Sequence, residues 1–311
     1  MTRIRLEAAL PPTPLYRAER LSARLGRETW LKLEGEQPTG SFKVRPALAG
    51  VLALDDEARA RGIVTSSSGN FAAAAAWAAG RAGTRATVVV MPSASPHKID
   101  NARRHGAEIA FCEDDYAARQ SLVDRLVAER GLAEIHPHDS DATLAGDATM
   151  AAEIAAQLPT AAAIIAPVSG GGLLGGLIEG AAAFGLEAAI WGAQAAGSRA
   201  FADSFAAGER LTGPAPMTEA DGLTATRPGS RGFAAARAGA AGVVVVSEKG
   251  MLRALWALQA EEGIIAEPSS AVGLAALEEG LIAPGPGPIV LVLTGRNVDP
   301  VRHRRLVVAG G

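Results

Sequence analysis

One lysine of the sequence lies where its amine could take part in chemistry. Lys43 follows a Gly-Ser turn in the stretch EGEQPTGSFKVRPA, residues 34–47, and an apolar run comes after it. A buried lysine has a lowered pKa, and its neutral amine can form an imine with a carbonyl group. Because a single lysine is usually a surface charge, this residue alone leaves both interpretations open. The other lysines, Lys32, Lys98 and Lys249, have polar surroundings in the sequence and are expected on solvated faces.

A glycine-rich loop has the pattern of an anion-binding site. Gly170, Gly172 and Gly175 follow an apolar strand and begin a helix, in a formal match to G-x-G-x-x-G. Backbone N–H groups at such a helix start can approach an anion, and the helix dipole favours negative charge there. A dinucleotide site also needs an acidic residue after the next strand, where Gln194 stands. The loop therefore favours a phosphate monoester, with a plain packing turn as the alternative.

Two further loops combine small and polar residues at the ends of predicted strands. Three serines, Gly69 and Asn70 precede an Ala-rich helix, and their donors suit a carboxylate or a phosphate. Simple helix capping is the alternative interpretation. The run from Thr294 to Asn297 follows the last strong strand. In open α/β sheets ligands bind beyond the carboxyl ends of the strands, so the three loops are expected to line one cleft.

The composition is that of an ordinary globular protein and argues against several classes of function. The chain has 311 residues, of which 48% are hydrophobic and 20% charged, enough for one large domain or two ordinary ones. The net charge of −3 indicates no nucleic-acid partner. A single cysteine, Cys112, allows no intramolecular disulfide and favours a reducing, cytoplasmic location. The uncharged run 154–178 contains prolines and glycines, so no membrane segment is predicted.

Short β-rich runs alternate with longer Ala-rich runs along the chain. The predicted strands are 29–35, 62–67, 85–91, 108–112, 162–169, 188–194, 242–247 and 288–295. The predicted helices are 44–60, 70–82, 96–105, 114–130, 146–157, 172–184, 198–207, 231–238, 248–261 and 269–280. Apolar strands that alternate with helices indicate an α/β protein whose parallel sheets are covered on both faces.

Taken together, these segments resemble the fold type II pyridoxal-phosphate (PLP) enzymes, in particular the branch of the serine/threonine dehydratases (threonine ammonia-lyases) and serine racemases. The similarity extends from Thr13 to Asn297. The motifs that carry it occur in the family's order and are PTGSFKVRPA, SSSGNF, VVVMPSASPHKIDNARRHGAEI, HPHDSDATLAGDAT, VSGGGLLGG, EADGLTA, EPSSAVGLAAL and LTGRNVD.

The resemblance implies a fold like that of the tryptophan synthase β chain. This fold has two three-layer α/β domains with mostly parallel, twisted sheets and an active site in the cleft between them. Residues 1–61 and 140–311 would form the large PLP-binding domain, and residues 62–139 the small domain with the substrate loop. The family also implies a homodimer that acts on a small amino acid, with no nucleic-acid or membrane partner.

The resemblance further implies roles for individual residues. Lys43 would form the Schiff base with PLP, and Phe42 would pack against the cofactor ring. Asn70 would hydrogen-bond the ring's 3-hydroxyl group, and Thr294 would contact the pyridine nitrogen. The other residues implied to bind the cofactor are Ser169, Gly170, Gly171, Gly172 and Leu173 around the phosphate, with Gly222 and Glu267 lining the pocket. The residues implied to bind the substrate carboxylate are Ser66, Ser67, Ser68, Gly69, Asn70 and Phe71.

Thr294 bears on the type of reaction. A carboxylate would keep the pyridine nitrogen protonated and strengthen PLP as an electron sink, which a hydroxyl cannot do. Rapid loss of a β-leaving group is then favoured. The predicted reaction is the dehydration and deamination of a β-hydroxy amino acid, such as L-threonine or L-serine, to a 2-oxo acid and ammonia. Lys43, once freed, would remove the Cα proton.

Two alternative functions stay open. The first is a racemase or a β-replacement enzyme of the same fold, because a Ser68 hydroxyl on the face opposite Lys43 could return a proton to Cα. The same serine could simply cap the helix. The second alternative is a binding or sensor protein without turnover, which the unusual residues Phe71 and Asp147 suggest.

Several positions depart from the family's pattern. Phe71 replaces the usual His after Gly-Asn, Asp147 replaces the Gln of Gly-Gln-Gly-Thr, and Arg296 replaces a Gly. Arg296 is either a surface residue or a group that recognises an acidic substrate or the cofactor. We expect these three residues to determine the substrate. Gln194 and Ala200 stand where many relatives have metal-binding carboxylates, so no metal is predicted there.

Overall fold

The computed structural model describes residues 10–67 and 69–311, in which strands alternate with helices. The strands are β1 (Leu15–Arg17), β2 (Thr29–Leu33), β3 (Ile63–Ser66), β4 (Ala86–Val90), β5 (Glu108–Phe111), β6 (Ala133–Glu134), β7 (Ala163–Pro167), β8 (Ala189–Ala195), β9 (Gly242–Val246) and β10 (Ile289–Leu293). The helices are α1 (Glu19–Leu25), α2 (Val44–Ala53), α3 (Asp56–Arg61), α4 (Asn70–Arg81), α5 (Pro96–Arg104), α6 (Tyr116–Arg130), α7 (Asp141–Gln157), α8 (Gly172–Phe184), α9 (Ala200–Ala207), α10 (Ser230–Gly239), α11 (Glu248–Glu262), α12 (Pro268–Glu278) and α13 (Pro300–Gly310). A short 3₁₀ turn, Glu34–Glu36, follows β2.

The strands form two sheets. The larger sheet has the order β1-β2-β10-β7-β8-β9, and its neighbouring strands are parallel except for β1 with β2. The smaller sheet has the order β5-β4-β3-β6 and is parallel throughout. The strands β7 and β10 are apolar and buried over their whole length, as strands covered by helices on both faces must be. The predicted α/β fold with mostly parallel sheets is confirmed.

A few elements differ from the sequence-based prediction. The strands β1 and β6 and the helices α1 and α13 lie where no element was predicted. The strands have three and two residues, too few for a periodic pattern to be recognised. The predicted helix 44–60 is two helices, because the chain is extended at Leu54 and Asp55 begins a new helix. The Asp55 carboxylate accepts a hydrogen bond from the N–H of Ala58 (2.7 Å).

The uncharged run 154–178 is shared by the end of α7, the strand β7 and the start of α8. Within the described ranges 10–67 and 69–311, no helix has both the length and the apolar character needed to cross a membrane.

Helix α2 has close neighbours on two sides. Val44 and Leu48 of α2 belong to the same apolar cluster as Phe71 of α4. On another side α7 approaches so closely that a Cβ added to Gly146 would lie 2.5 Å from the backbone oxygen of Arg45. The smaller sheet takes its strands from within residues 62–139, but the exact domain boundaries stay a prediction.

Candidate active site

A cavity of about 580 Å³ is lined by residues at the carboxyl ends of β3 in the smaller sheet and of β7 and β10 in the larger sheet. The described residues that the family resemblance implied as binding the cofactor or the substrate all line this cavity: Phe42, Lys43, Ser66, Ser67, Gly69, Asn70, Phe71, Ser169, Gly170, Gly171, Gly172, Leu173, Gly222, Glu267 and Thr294. Ser68 lies outside the described residues. The fold therefore gathers segments that are far apart in the sequence.

The amine of Lys43 lies in an enclosed and partly aromatic environment. Its Nζ donates a hydrogen bond to the carbonyl oxygen of Pro137 (2.7 Å). The Nζ also lies 4.7 Å from the ring centroid of Phe42 and 5.9 Å from that of Phe71. Burial lowers the pKa of Lys43, and the charge of Asp147 partly opposes this effect. The chain thus holds a half-buried amine that is more readily neutral than a surface lysine.

The turn that carries Lys43 is fixed to the end of β10. The N–H of Phe42 donates to the carbonyl oxygen of Thr294 (2.9 Å). Ser41 and Gly295 pair in an isolated antiparallel β-bridge. Because β10 is a buried central strand of the larger sheet, these contacts give Lys43 a rigid base.

The loop before α8 leaves no room for side chains. A Cβ on Gly170 would clash with the ring of His138, and one on Gly172 would lie 2.9 Å from the carbonyl oxygen of His138. Gly171 has a φ of +98°, which is strained for residues other than glycine. The first N–H groups of the 13-residue helix α8 have no partner within the helix, and Gly172 and Leu173 line the cavity, where an anion would meet them.

A hydrogen-bonded group of three side chains joins the start of α4 to the segments beside α12 and β10. The Nδ2 of Asn70 donates to both carboxylate oxygens of Glu267, at 2.8 and 3.1 Å. The Nδ2 of Asn297 donates to the Oδ1 of Asn70 (2.9 Å), and its N–H donates to Glu267 (2.9 Å). Burial raises the pKa of Glu267 to about 7, against the opposing effect of the Asn70 hydrogen bond.

The raised pKa of Glu267 predicts a pH dependence of stability. The folded carboxyl group has a pKa of about 7 and the unfolded one 4.5, so the folded protein binds this proton more tightly. The stabilisation is complete below pH 4.5 and is lost as the pH rises through 7. Glu267→Gln should therefore gain stability relative to the wild type between pH 5 and pH 8, by up to about 3 kcal/mol. Urea unfolding of the ligand-free proteins at both pH values measures the difference.

The exposed carboxylate of Glu57 provides a control for this experiment, because its side chain is 87% exposed. Glu57→Gln should show the same pH dependence as the wild type. Parallel stability curves for Glu267→Gln and the wild type would contradict the prediction.

The hydroxyl of Thr294 lies beside an uncharged hydroxyl group, that of Ser270. Its Oγ1 lies 3.1 Å from the Oγ of Ser270, and the same Ser270 hydroxyl accepts a hydrogen bond from the N–H of Gly295 (3.2 Å). Ser270 belongs to the EPSSA motif but was not singled out from the sequence. No carboxylate is hydrogen-bonded to Thr294 in the described part of the chain, so the group that this threonine presents to the cavity is an uncharged hydroxyl.

Lys98 was expected on a solvated face, and this expectation is wrong. Its side chain is only 20% exposed, lines the cavity and forms an ion pair with Asp221 (2.7 Å). Arg302 of α13 binds the same Asp221 oxygen (2.9 Å). The position of Asp221 beside Gly222 in the EADG motif was the one sequence signal that could have indicated this pair.

Lys32 is also buried, contrary to expectation. Its Nζ contacts the carboxylate of Glu153 (2.6 Å), and no part of its side chain is exposed. The other carboxylate oxygen of Glu153 accepts from Arg45 (2.6 Å). Arg45 in turn forms a two-point contact with the buried Glu34, at 2.8 and 2.7 Å. Two cations and two anions thus form a compact network behind the turn of Lys43.

Arg296 does not line the cavity that contains Lys43. It forms a half-exposed ion pair with Glu36 (2.7 Å) and borders a second cavity of about 560 Å³, with His97 and Arg104. Of its two interpretations, the surface residue fits the structure and the contact with the substrate does not. Gln194, where relatives carry a carboxylate, accepts a hydrogen bond from the N–H of Ala202 (2.8 Å) in the first turn of α9.

Comparison with known proteins agrees with this arrangement. A family model described as "Pyridoxal-phosphate dependent enzyme" matches residues 6–295. The serine racemase of Arabidopsis thaliana is 34% identical over 300 residues, which cover 95% of this chain and 90% of the relative. The L-threonine ammonia-lyase of Geobacter sulfurreducens is 32% identical over 311 residues, which cover 98% of this chain and 77% of the relative.

A solved structure, that of maize serine racemase, superposes with a TM-score of 0.93 at 32% identity and covers 98% of this chain and 95% of its own. The family match spans far more than half of the sequence and includes the lysine turn and the glycine loop. The resemblance and the fold class predicted from the sequence are confirmed, and the chain belongs to the fold type II pyridoxal-phosphate dependent enzymes, with pyridoxal 5'-phosphate as its cofactor.

Proposed function

We propose that the protein catalyses the β-elimination of a β-hydroxy amino acid, such as L-threonine or L-serine, to a 2-oxo acid and ammonia. The similarity to L-threonine ammonia-lyase supports this reaction. The single observation that carries the choice of elimination is the neutral hydrogen-bond partner of Thr294, whose hydroxyl lies beside the hydroxyl of Ser270.

The residues around the cavity fit PLP. The loop Gly170–Gly172 would bind its phosphate, because it lines the cavity and leads into the first N–H groups of α8, which favour an anion. The half-buried amine of Lys43 suits a covalent bond to the cofactor aldehyde, since its partial loss of solvent favours the neutral, nucleophilic form. Phe42 lies beside this amine and would pack against the ring.

The remaining roles are those that the family resemblance implies for side chains that line the cavity. When bound, PLP supplies an electron sink for negative charge that develops at the substrate's Cα. Lys43 would take and hold the Cα proton. The loop that includes Ser66, Ser67 and Gly69 would bind the substrate carboxylate at the start of α4. Asn70, already ordered by Glu267, would orient the ring.

Thr294 would face the pyridine nitrogen without protonating it. A hydroxyl can donate or accept a hydrogen bond there, but it carries no negative charge that would hold a proton on the ring. The electron sink is then weaker, and negative charge at Cα is removed fastest by the departure of a β-substituent. This argument favours β-elimination over reactions that need a long-lived carbanion.

Incubation of the PLP-loaded enzyme with L-serine or L-threonine distinguishes the candidate functions. We expect steady formation of pyruvate or 2-oxobutyrate, measured colorimetrically. A panel of β-hydroxy amino acids that includes 3-hydroxyaspartate would then identify the preferred substrate. Formation of D-serine without a 2-oxo acid would instead support a racemase, for which the 34% identity to a serine racemase is the motivating observation. Absence of any product would support the binding or sensor function.

The site assignments, the domain boundaries, a homodimeric state and a cytoplasmic location are parts of the same proposal. The family resemblance supports the dimer, and the single cysteine supports the reducing compartment. Size-exclusion chromatography with light scattering would test the dimer directly.

A further inference from the structure

Asp147 is a buried acid that the proposed chemistry does not use. None of its side chain is exposed, and neither of its carboxylate oxygens has a hydrogen-bond partner among residues 10–67 and 69–311. An anion in such a position is unfavourable unless a positive charge lies nearby. The family's usual residue here is a neutral amide, so the acid is a feature of this chain that needs a physical explanation.

Asp147 is held by close helix packing. The preceding residue, Gly146, lies against the backbone of Arg45, as described above. On the other side Gly176 of α8 approaches so closely that an added Cβ would lie 2.5 Å from the Cβ of Asp147. Because α7 is clamped between α2 and α8, the carboxylate cannot reach solvent without a helix movement. Through Gly146 it adjoins the first turn of α2, which directly follows Lys43.

The charged groups that act on Asp147 are Lys43, Arg45 and Glu34. Burial raises the pKa of Asp147 to about 7. The two cations oppose this rise by favouring the carboxylate form, and Glu34 adds to it. The guanidinium of Arg45 is already engaged by Glu34 and Glu153. Lys43 instead donates to a neutral carbonyl group. The positive charge that Asp147 can stabilise is therefore that of the protonated Lys43 amine.

The loop before α7 brings two further titratable groups towards Lys43. Burial lowers the pKa of His136, and it lowers the pKa of His138 to about 3. Both rings are therefore neutral near pH 7, and neither can supply the negative charge that a protonated amine needs.

Phe71, the second unusual residue, acts on the same amine. The face of an aromatic ring attracts a cation, and the Nζ of Lys43 lies 5.9 Å from the Phe71 centroid. The ring and the carboxylate both favour the ammonium form of Lys43, whereas burial alone disfavours it. Phe71 and Asp147, which both depart from the family's pattern, thus favour the same protonation state of Lys43.

We propose that Asp147 is a positioning residue that stabilises positive charge on the nitrogen of Lys43. The inference rests on the proposed role of Lys43. When the lysine nitrogen is bonded to PLP, the carboxylate favours its protonated form. When the freed amine takes the Cα proton, the N–H bond forms as the Cα–H bond breaks, and Asp147 stabilises the resulting ammonium group without touching the substrate.

The pH titration of the lysine–PLP absorption band tests this proposal without measuring turnover. In Asp147→Asn the carboxylate is replaced by a neutral group of the same size. We expect the midpoint at which the nitrogen loses its proton to fall by about one pH unit or more, because a nearby negative charge favours the protonated form. Asp147→Gln, which restores the usual family residue, should shift the midpoint in the same direction. Asp147→Glu should keep the midpoint close to that of the wild type.

Asp203→Asn is the control. Asp203 lies on α9, forms an ion pair with Arg199 and does not line the cavity. Its midpoint should equal that of the wild type. An unchanged midpoint in a folded Asp147→Asn or Asp147→Gln protein would overturn the inference while leaving the proposed function intact. Absence of the band in the wild type would instead reject the role of Lys43.

Discussion

Replacing Lys43 with alanine should abolish the visible absorption band of the enzyme–PLP complex and lower turnover by roughly a thousandfold or more. The covalent bond to the cofactor and the base that takes the Cα proton would be lost together. Phe42 and the Gly170–Gly172 loop would still be present, so PLP could bind without forming the imine. Spectra of the purified variants after incubation with PLP, followed by assays for the 2-oxo acid, measure both effects.

Lys98→Ala is the control for this experiment. Lys98 lines the same cavity, but its amine is engaged by Asp221. This variant should keep the absorption band, because the lysine that forms the imine is unchanged. A band that persists in Lys43→Ala, or one that disappears in Lys98→Ala, would mean that another amine binds the cofactor.

Replacing Arg45 with methionine should destabilise the protein by about 3–5 kcal/mol, the usual cost of removing one partner of a buried ion pair. The Arg45 side chain is 1% exposed and contacts Glu34, which is fully buried, and Glu153. Methionine fills part of the volume but leaves Glu34 without the cation that compensates its charge. Urea unfolding of the PLP-free protein measures the loss.

Arg61→Met provides the comparison. Arg61 forms an ion pair of the same 2.7 Å length with Glu57, but at the surface, where that carboxylate is 87% exposed. Such pairs contribute less than about 1 kcal/mol. If both variants lost the same free energy of unfolding, burial would not increase the contribution of the Arg45 ion pairs to stability.

The sequence was sufficient to predict the main strands because β7 and β10 are continuous apolar runs followed by polar residues and glycines. It was not sufficient for the buried lysines. Lys32 alternates with apolar neighbours as a half-exposed strand residue would, and its partner Glu153 is 121 residues away. A contact between residues so far apart in the sequence depends on how α7 packs on the larger sheet. No local sequence pattern indicates it.

In the candidate site, too, local motifs could be predicted from the sequence, whereas long-range contacts of single residues could not. The motifs around Lys43, Gly170 and Thr294 were recognisable because each needs small residues or a special backbone at a strand end. The unusual residues were harder to place. Arg296 was assigned a possible contact with substrate, but its side chain extends to Glu36 beside a different cavity. Asp147 was expected to affect the substrate, whereas its side chain is fully buried between α2 and α8 and does not line the cavity.

The position of β10 in the larger sheet affects the order in which the chain folds during synthesis. This strand pairs with β2 on one side and β7 on the other, although it is the last of the described strands to be synthesised. The smaller sheet uses only residues 63–134 and can form early on the ribosome. The segment with Lys43, in contrast, must wait for Gly295 before it gains its β-bridge. We therefore expect nascent chains to acquire PLP only after β10 and Gly295 have emerged from the ribosome.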